Sequence, residues 1–144
     1  MASLQPTDLP QWANGLLESA RVARLGLLDE EGAPRVLPVT FAVAEARIWS
    51  AIDQKPKGPN EPARVRFLRR DPRAALTVDQ YSDDWEELAW VQVLGRVEVL
   101  EISEAGSGLD ALSAKYAQYR EEAPPGPVLA LEPERGLCWR AAGD

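Results

Sequence analysis

Histidine is absent from this chain of 144 residues, and cysteine and methionine occur once each. A single thiol, Cys138, leaves no intramolecular disulfide to form. Without histidine, and with one cysteine, the nitrogen and sulfur donors of a zinc site are missing, so no metal is expected. The same absence removes the commonest general base and every Ser–His or Cys–His nucleophile. An enzyme built on this chain therefore takes its reactivity from something other than its side chains. Positive charge is scarce too: 16 Lys and Arg stand against 23 Asp and Glu, a net charge of −7. That balance argues against nucleic-acid partners and anionic membrane surfaces, which both need basic patches. No apolar run approaches the length of a membrane span. Residues 1–10 lack the charged and apolar regions of a signal peptide, so a cytoplasmic location is expected.

The length suits one domain over 1–144, with a core that needs no disulfide or metal. A helical segment over 1–20 precedes a mainly β body with short helices over 21–144. Residues 8–20 predict a short helix, with Asp8 as its cap, Pro10 in its first turn and Trp12, Leu16, Leu17 and Ala20 as its apolar stripe. A strand over 21–28 ends at the turn Asp29-Glu30-Glu31-Gly32. Residues 35–43 alternate, with Leu37, Val39, Phe41 and Val43 on one face, and 47–52 form a third strand. A helix over 61–70 is stopped by Asp71-Pro72. Strands follow at 74–81 and 88–101, the second with a bend or bulge at Gly95. Leu109, Leu112, Tyr116 and Tyr119 give a helical stripe, ended by Pro124-Pro125-Gly126-Pro127, and short strands lie at 128–131 and 137–140. Hairpin-linked strands of this number predict an antiparallel sheet closed into a small barrel. The turns are too short for the crossover helices of a βαβ nucleotide fold.

Basic residues are concentrated in one place. Seven of the 16 fall between Lys55 and Arg73, with only Glu61 and Asp71 among them. Lys55 and Lys57 flank a proline at the end of the third strand, where ammonium groups and free backbone N–H groups can meet one phosphate. The alternative is a solvated turn. On the helix that follows, Arg66, Arg69 and Arg70 point to one arc, but Arg64 falls roughly 100° from Ala63, inside the apolar arc of Phe67 and Leu68. An inward charge needs a partner, either a carboxylate such as Asp53 or Asp79 or a bound phosphate. Pro38 gives up a ladder bond in mid-strand, which suits a barrel edge or a backbone left free for a flat heterocycle. Asp79, Tyr81, Asp84 and Trp85 gather polar and aromatic groups near one strand end, as scaffold, pocket wall or dimer seam.

The segments Leu37-Pro38-Val39-Thr40-Phe41, Asp53-Gln54-Lys55-Pro56-Lys57, Leu68-Arg69-Arg70-Asp71-Pro72-Arg73 and Asp79-Gln80-Tyr81-Ser82-Asp83-Asp84-Trp85 occur in a telling order. With Lys115-Tyr116-Ala117-Gln118-Tyr119-Arg120 and the Pro-Pro-Gly-Pro run, they resemble the split β-barrel flavin and deazaflavin oxidoreductases of the pyridoxamine 5′-phosphate oxidase-like superfamily. The likeness spans residues 20–139 and is greatest to its coenzyme F420-dependent branch. It implies an FMN-binding split barrel, mainly β with short helices, that forms a homodimer with cofactor sites at the subunit interface. The cofactor phosphate would meet Lys55 and Lys57, with Arg64 as a third cation. The ring would lie against backbone at Pro38, Val39 and Thr40, and Ser50, Ala51 and Ile52 would line the ribityl chain. Hydride would pass between the cofactor, F420 first and FMN as the alternative, and a small organic substrate. Proton supply would fall to water or Tyr81.

Some positions depart from that branch. Gly58-Pro59-Asn60-Glu61-Pro62 replaces basic residues, Gln80 stands in place of histidine and Gln92 in place of arginine. Each missing charge-assisted contact costs about 1.5–3 kcal/mol, which disfavours the anionic oligoglutamate tail of F420 and makes FMN a rival. A binding protein for flavin, deazaflavin or haem without turnover, or a cofactor-free dimer, are the alternatives from other classes. For haem, Cys138 or a tyrosine would have to replace the usual histidine ligand.

Overall fold

The computed structural model describes residues 8–52 and 61–142 of the chain. Its first half contains α1 (Gln11–Ser19), β1 (Ala23–Leu28), β2 (Pro34–Val39), β3 (Ala42–Ala44), β4 (Arg47–Ala51) and α2 (Ala63–Arg70). The second half contains β5 (Arg73–Gln80), β6 (Ala89–Leu100), α3 (Gly106–Lys115), α4 (Ala117–Glu121) and β7 (Val128–Arg140). The seven strands make one sheet in the order β2-β1-β5-β6-β7-β4-β3, and every pairing is antiparallel.

The two edges of this sheet are β2 and β3, and only Thr40 and Phe41 separate them in the chain. Laid flat, seven strands would put the edges about 29 Å apart at about 4.8 Å per gap. The three Cα steps from Val39 to Ala42 reach at most about 11 Å. The sheet therefore has to curl until its edges meet, which gives the mainly β split barrel expected from the sequence. Alternate residues fill its interior, with Leu25, Leu76, Val78, Val91, Val93 and Val97 among them. Ala13 and Leu17 of α1, and Val65, Phe67 and Leu68 of α2, complete the same core. α3 lies outside, on β3 and β4, where Leu112 packs in a second cluster with Trp49, Ala51 and Ala130. Gly108 makes that approach possible, since a Cβ there would stand 2.1 Å from the Trp49 ring.

Local chemistry explains most boundaries. Asp29 Oδ1 accepts from the N–H groups of Glu31 and Ala33 at 3.0 and 2.9 Å, closing the β1–β2 turn around left-handed Gly32. Four differences from the sequence expectation stand out. α1 is preceded by Pro10 as N-cap residue with no side-chain cap, so Asp8 does not serve as its cap. The strand expected over 35–43 breaks at Thr40 and Phe41. The helical stripe of residues 109–119 divides between α3 and α4 at Tyr116, whose backbone is extended. The two expected final strands are one, β7, because Glu132 to Gly136 stay in register with β6 across a bulge.

That bulge sits where Gly95 predicts it, with the register shifting between Leu94 and Gly95. A Cβ on Gly95 would lie 2.0 Å from the Glu132 carbonyl oxygen, and backbone cannot yield as a side-chain tip can. Gly95→Ala is expected to destabilise the protein by about 1–3 kcal/mol, as overpacking does. A lowered urea midpoint checks this, and an unchanged one would show that the bulge relaxes freely.

Candidate functional site

β2 stops at Val39 and β3 starts at Ala42, so Thr40 and Phe41 have no ladder partner. Hydroxyl groups take over. Ser50 Oγ donates to the Thr40 carbonyl at 2.7 Å. The Thr40 and Tyr119 hydroxyls lie 2.7 Å apart and share a hydrogen bond. The Phe41 N–H donates to the Tyr116 hydroxyl at 3.1 Å, and the same oxygen is 3.0 Å from the Phe41 carbonyl and 2.9 Å from that of Arg21. Having one proton, Tyr116 donates to one carbonyl at a time. Burial raises the pKa of its phenol, which keeps that proton in place.

Helix geometry delivers these tyrosines. The extended residue at 116 interrupts the helix and turns its ring to the barrel, and Tyr119 meets it edge to face at 5.7 Å and 77°. Thr40 lies at an open cleft of about 630 Å³, within the range of ligand pockets, walled by Tyr116, Tyr119, Gln118, Glu122 and Pro124. Behind it, Lys115 Nζ sits 3.9 Å from the centre of the Phe41 ring, sealed from solvent and without a hydrogen-bond partner among the described residues. Its burial, helped by the positive charge of Arg21 and opposed by Glu18, pushes the ammonium pKa down to about 8.

The residues singled out in the sequence are placed unevenly. Pro38 is on edge strand β2, opposite Arg24, and Val39 is buried in the barrel, so this pair has backbone rather than side chains to offer. Thr40 is in the cleft. Ser50 and Ile52 face the interior and Ala51 lies under α3, so none of the three presents a side chain to the cleft. Asp53, Lys55 and Lys57 lie outside the described residues. Tyr81 is 69% exposed, donates to Asp83 at 3.2 Å, and borders a separate depression with Arg24 and Asp79. Within one chain it does not share the cleft of Thr40.

Arg64 behaves unlike its neighbours. Arg69 holds Glu61 at 2.7 Å, Arg66 donates to the Glu61 carbonyl at 2.9 Å, Arg70 to that of Asp29 at 3.2 Å, and Arg73 holds Asp71 at 2.7 Å. Arg64 is half-buried and has no such bond among the described residues, so it is not paired with Asp79. It stands in the first turn of α2, whose N-terminus has no side-chain cap and no acidic residue in that turn. Orphan N–H groups, the helix dipole and a guanidinium together form a favourable setting for an anion.

The sequence reading did not assign Tyr116, Tyr119 or Lys115 to the site. The available signal was two tyrosines on a buried helical stripe, since buried phenols need partners.

The protein family described as pyridoxamine 5′-phosphate oxidase matches residues 9–140. No curated protein matches the sequence. In fold the chain is similar to a conserved hypothetical protein of Mycobacterium tuberculosis, with a TM-score of 0.75 and 19% identity over 92% of this chain and 86% of the other. A haem-binding protein of Mycobacterium smegmatis gives 0.73 and 22% over 91% of this chain and 52% of the other. A protein named F420 reductase gives 0.65 and 17% over 91% of this chain and 98% of the other.

Lys115 makes a testable difference to stability. Its folded pKa of about 8 lies below the ordinary 10.5, so between these values the unfolded chain holds more protons. Stability from this group is therefore lowest below pH 8 and rises as pH climbs to 10.5. Lys115→Met is expected to melt higher than the wild type at pH 7, with the gap narrowing above pH 8. Parallel melting curves across that range would rule out a buried, unpartnered ammonium.

Proposed function

The chain belongs to the pyridoxamine 5′-phosphate oxidase family, and from that premise we propose that it is an oxidoreductase acting with a bound flavin-type cofactor on a small organic substrate. F420 is the first assignment, in keeping with a structural neighbour of that name, and FMN the second. The observation that carries the reading is Arg64. In an acidic chain, a half-buried guanidinium without a partner among the described residues, at an uncapped helix N-terminus, is costly unless an anion arrives. Lys55 and Lys57 precede it closely in the chain, so Lys55, Lys57 and Arg64 would hold the cofactor phosphate.

The cleft at Thr40 suits a flat ring. Tyrosine and proline make its walls, and Pro38, Val39 and Thr40 would meet the ring through backbone groups. Ser50, Ala51 and Ile52 would follow the ribityl chain, also through backbone, since their side chains are committed elsewhere. When bound, the cofactor supplies hydride exchange with the substrate. The chain contributes position and electrostatics, and water or Tyr81 the proton. Haem is a weaker occupant, because the sequence has no histidine to ligate it. Binding without turnover is the second reading. It is favoured by the same lack and by Lys115, whose amine is turned onto Phe41 rather than into the cleft.

We assign the partner as a second copy of the chain. The register aligns Val36, Gly26, Ala75 and Leu94 on the outer face of β2, β1, β5 and β6, with Trp90 and Trp139 paired beside them. Val36 is 70% exposed, and α1, α2 and α3 pack elsewhere. This apolar row, bordered on the same face by Arg24, Asp79 and Arg135, suits cover by a second copy. Leu94→Arg is expected to give monomers in sedimentation, and a monomeric wild type would remove this assignment.

Fluorescence titration with FMN and with F420 tests the cofactor. Lys55→Ala with Lys57→Ala should weaken binding by about 2–5 kcal/mol, as loss of buried charge pairs does. Arg64→Leu should also weaken it while leaving the melting temperature near the wild-type value. Unchanged affinity with lowered stability would return Arg64 to an internal role. Tight binding without cofactor-dependent reduction of an enone or quinone would favour the second reading.

A further inference from the structure

We infer that Tyr116 is a positioning residue, whose hydroxyl fixes the Thr40–Phe41 backbone at the cleft. The inference rests on the proposed function in placing a cofactor ring against that backbone. Phe41 is fully buried yet belongs to no strand ladder. Buried backbone groups need partners, and here the Tyr116 hydroxyl provides them. It accepts from the Phe41 N–H and lies in reach of the carbonyls of Phe41 and Arg21, so a single oxygen links three backbone groups from two segments. At the preceding residue Ser50 donates to the Thr40 carbonyl, and Tyr119 bonds the Thr40 side-chain hydroxyl.

The position of Tyr116 is itself well determined. It ends α3 with extended backbone, packs on Tyr119, and receives the Arg21 guanidinium over its ring at 5.6 Å. Lys115, the residue before it, sets Nζ over the Phe41 ring. The joint is thus held by two consecutive residues at the end of α3, so displacing its backbone disturbs both contacts. Groups that meet a flat ring must be held to a fraction of an ångström, and a residue outside a ladder has no such restraint of its own. Tyr116 supplies it.

The test compares Tyr116→Phe with Leu112→Ala, which weakens the packing of α3 but touches none of these hydroxyls. Amide exchange in the cofactor-free protein should rise at least tenfold at Phe41 in Tyr116→Phe, while β5 and β6 stay protected. The Kd for FMN or F420 should rise about tenfold. In Leu112→Ala the melting temperature should fall, with Phe41 exchange and Kd near wild type. A Tyr116→Phe protein that melts lower yet keeps wild-type exchange and Kd would overturn the inference, as would equal losses in both variants. If the wild type binds neither cofactor, the proposed function fails and the exchange data alone decide the role of Tyr116. Should Tyr116→Phe not fold, slow exchange of the wild-type Phe41 amide, matching β5 and β6, is required, and fast exchange there overturns the inference.

Discussion

The Thr40–Phe41 joint ties one edge of the sheet to the other, and most of the molecule follows from how little chain it contains. A two-residue link forces closure of the barrel. Closure in turn takes those residues out of any ladder, because the strands on either side of them pair with different neighbours. Their polar groups must then be satisfied by side chains, and the hydroxyls of Ser50, Tyr116 and Tyr119 are what the fold brings. This requirement draws Tyr116 at the end of α3 and Tyr119 of α4 against the joint. The cleft is the space left beside that contact.

Charge is arranged with similar economy. The arginines around α2 are mostly spent on carboxylates and carbonyl groups of the same neighbourhood. Exposed pairs of this kind add little stability and mainly settle where the side chains lie. Among the described residues, Arg64 and Lys115 stand apart from this pattern. Arg64 is half-buried beside an uncapped helix end, and Lys115 is enclosed over an aromatic ring with its ammonium unpartnered among the described residues. The first stands where an anion is favoured, and the second is held against the scaffold. Their environments separate them, since a helix N-terminus attracts anions and a ring face receives a cation directly.

Much of this was legible in the sequence. Hairpin-linked strands pointed to the barrel, Gly95 marked the bulge, and the angular position of Arg64 anticipated its half-burial. The break at Thr40 was hidden because Leu37, Val39, Phe41 and Val43 keep a period of two straight through it. The same holds for Leu109, Leu112, Tyr116 and Tyr119, whose helical spacing survives an extended residue at 116. Local pattern records which side of an element is apolar, not whether its hydrogen bonds are local. Here they reach from Phe41 to Tyr116, 75 positions away, and no window along the chain contains both. The polar run at 132–135 separates the two expected strands for a related reason: residues on the outside of a closed sheet need not alternate cleanly. Lys55 and Lys57, expected from the sequence to meet a phosphate, lie outside the described residues.

β7 pairs with β6 on one side and β4 on the other, and it follows every other strand in the chain. Until it docks, β1, β2, β5 and β6 form one curved half, and β3 and β4 a hairpin with nothing beside it. A strand that bridges early and late segments makes contacts of long sequence separation, which slow folding and keep unpaired edges open to other chains. During synthesis the nascent chain therefore carries two unjoined β surfaces until β7 emerges from the ribosome.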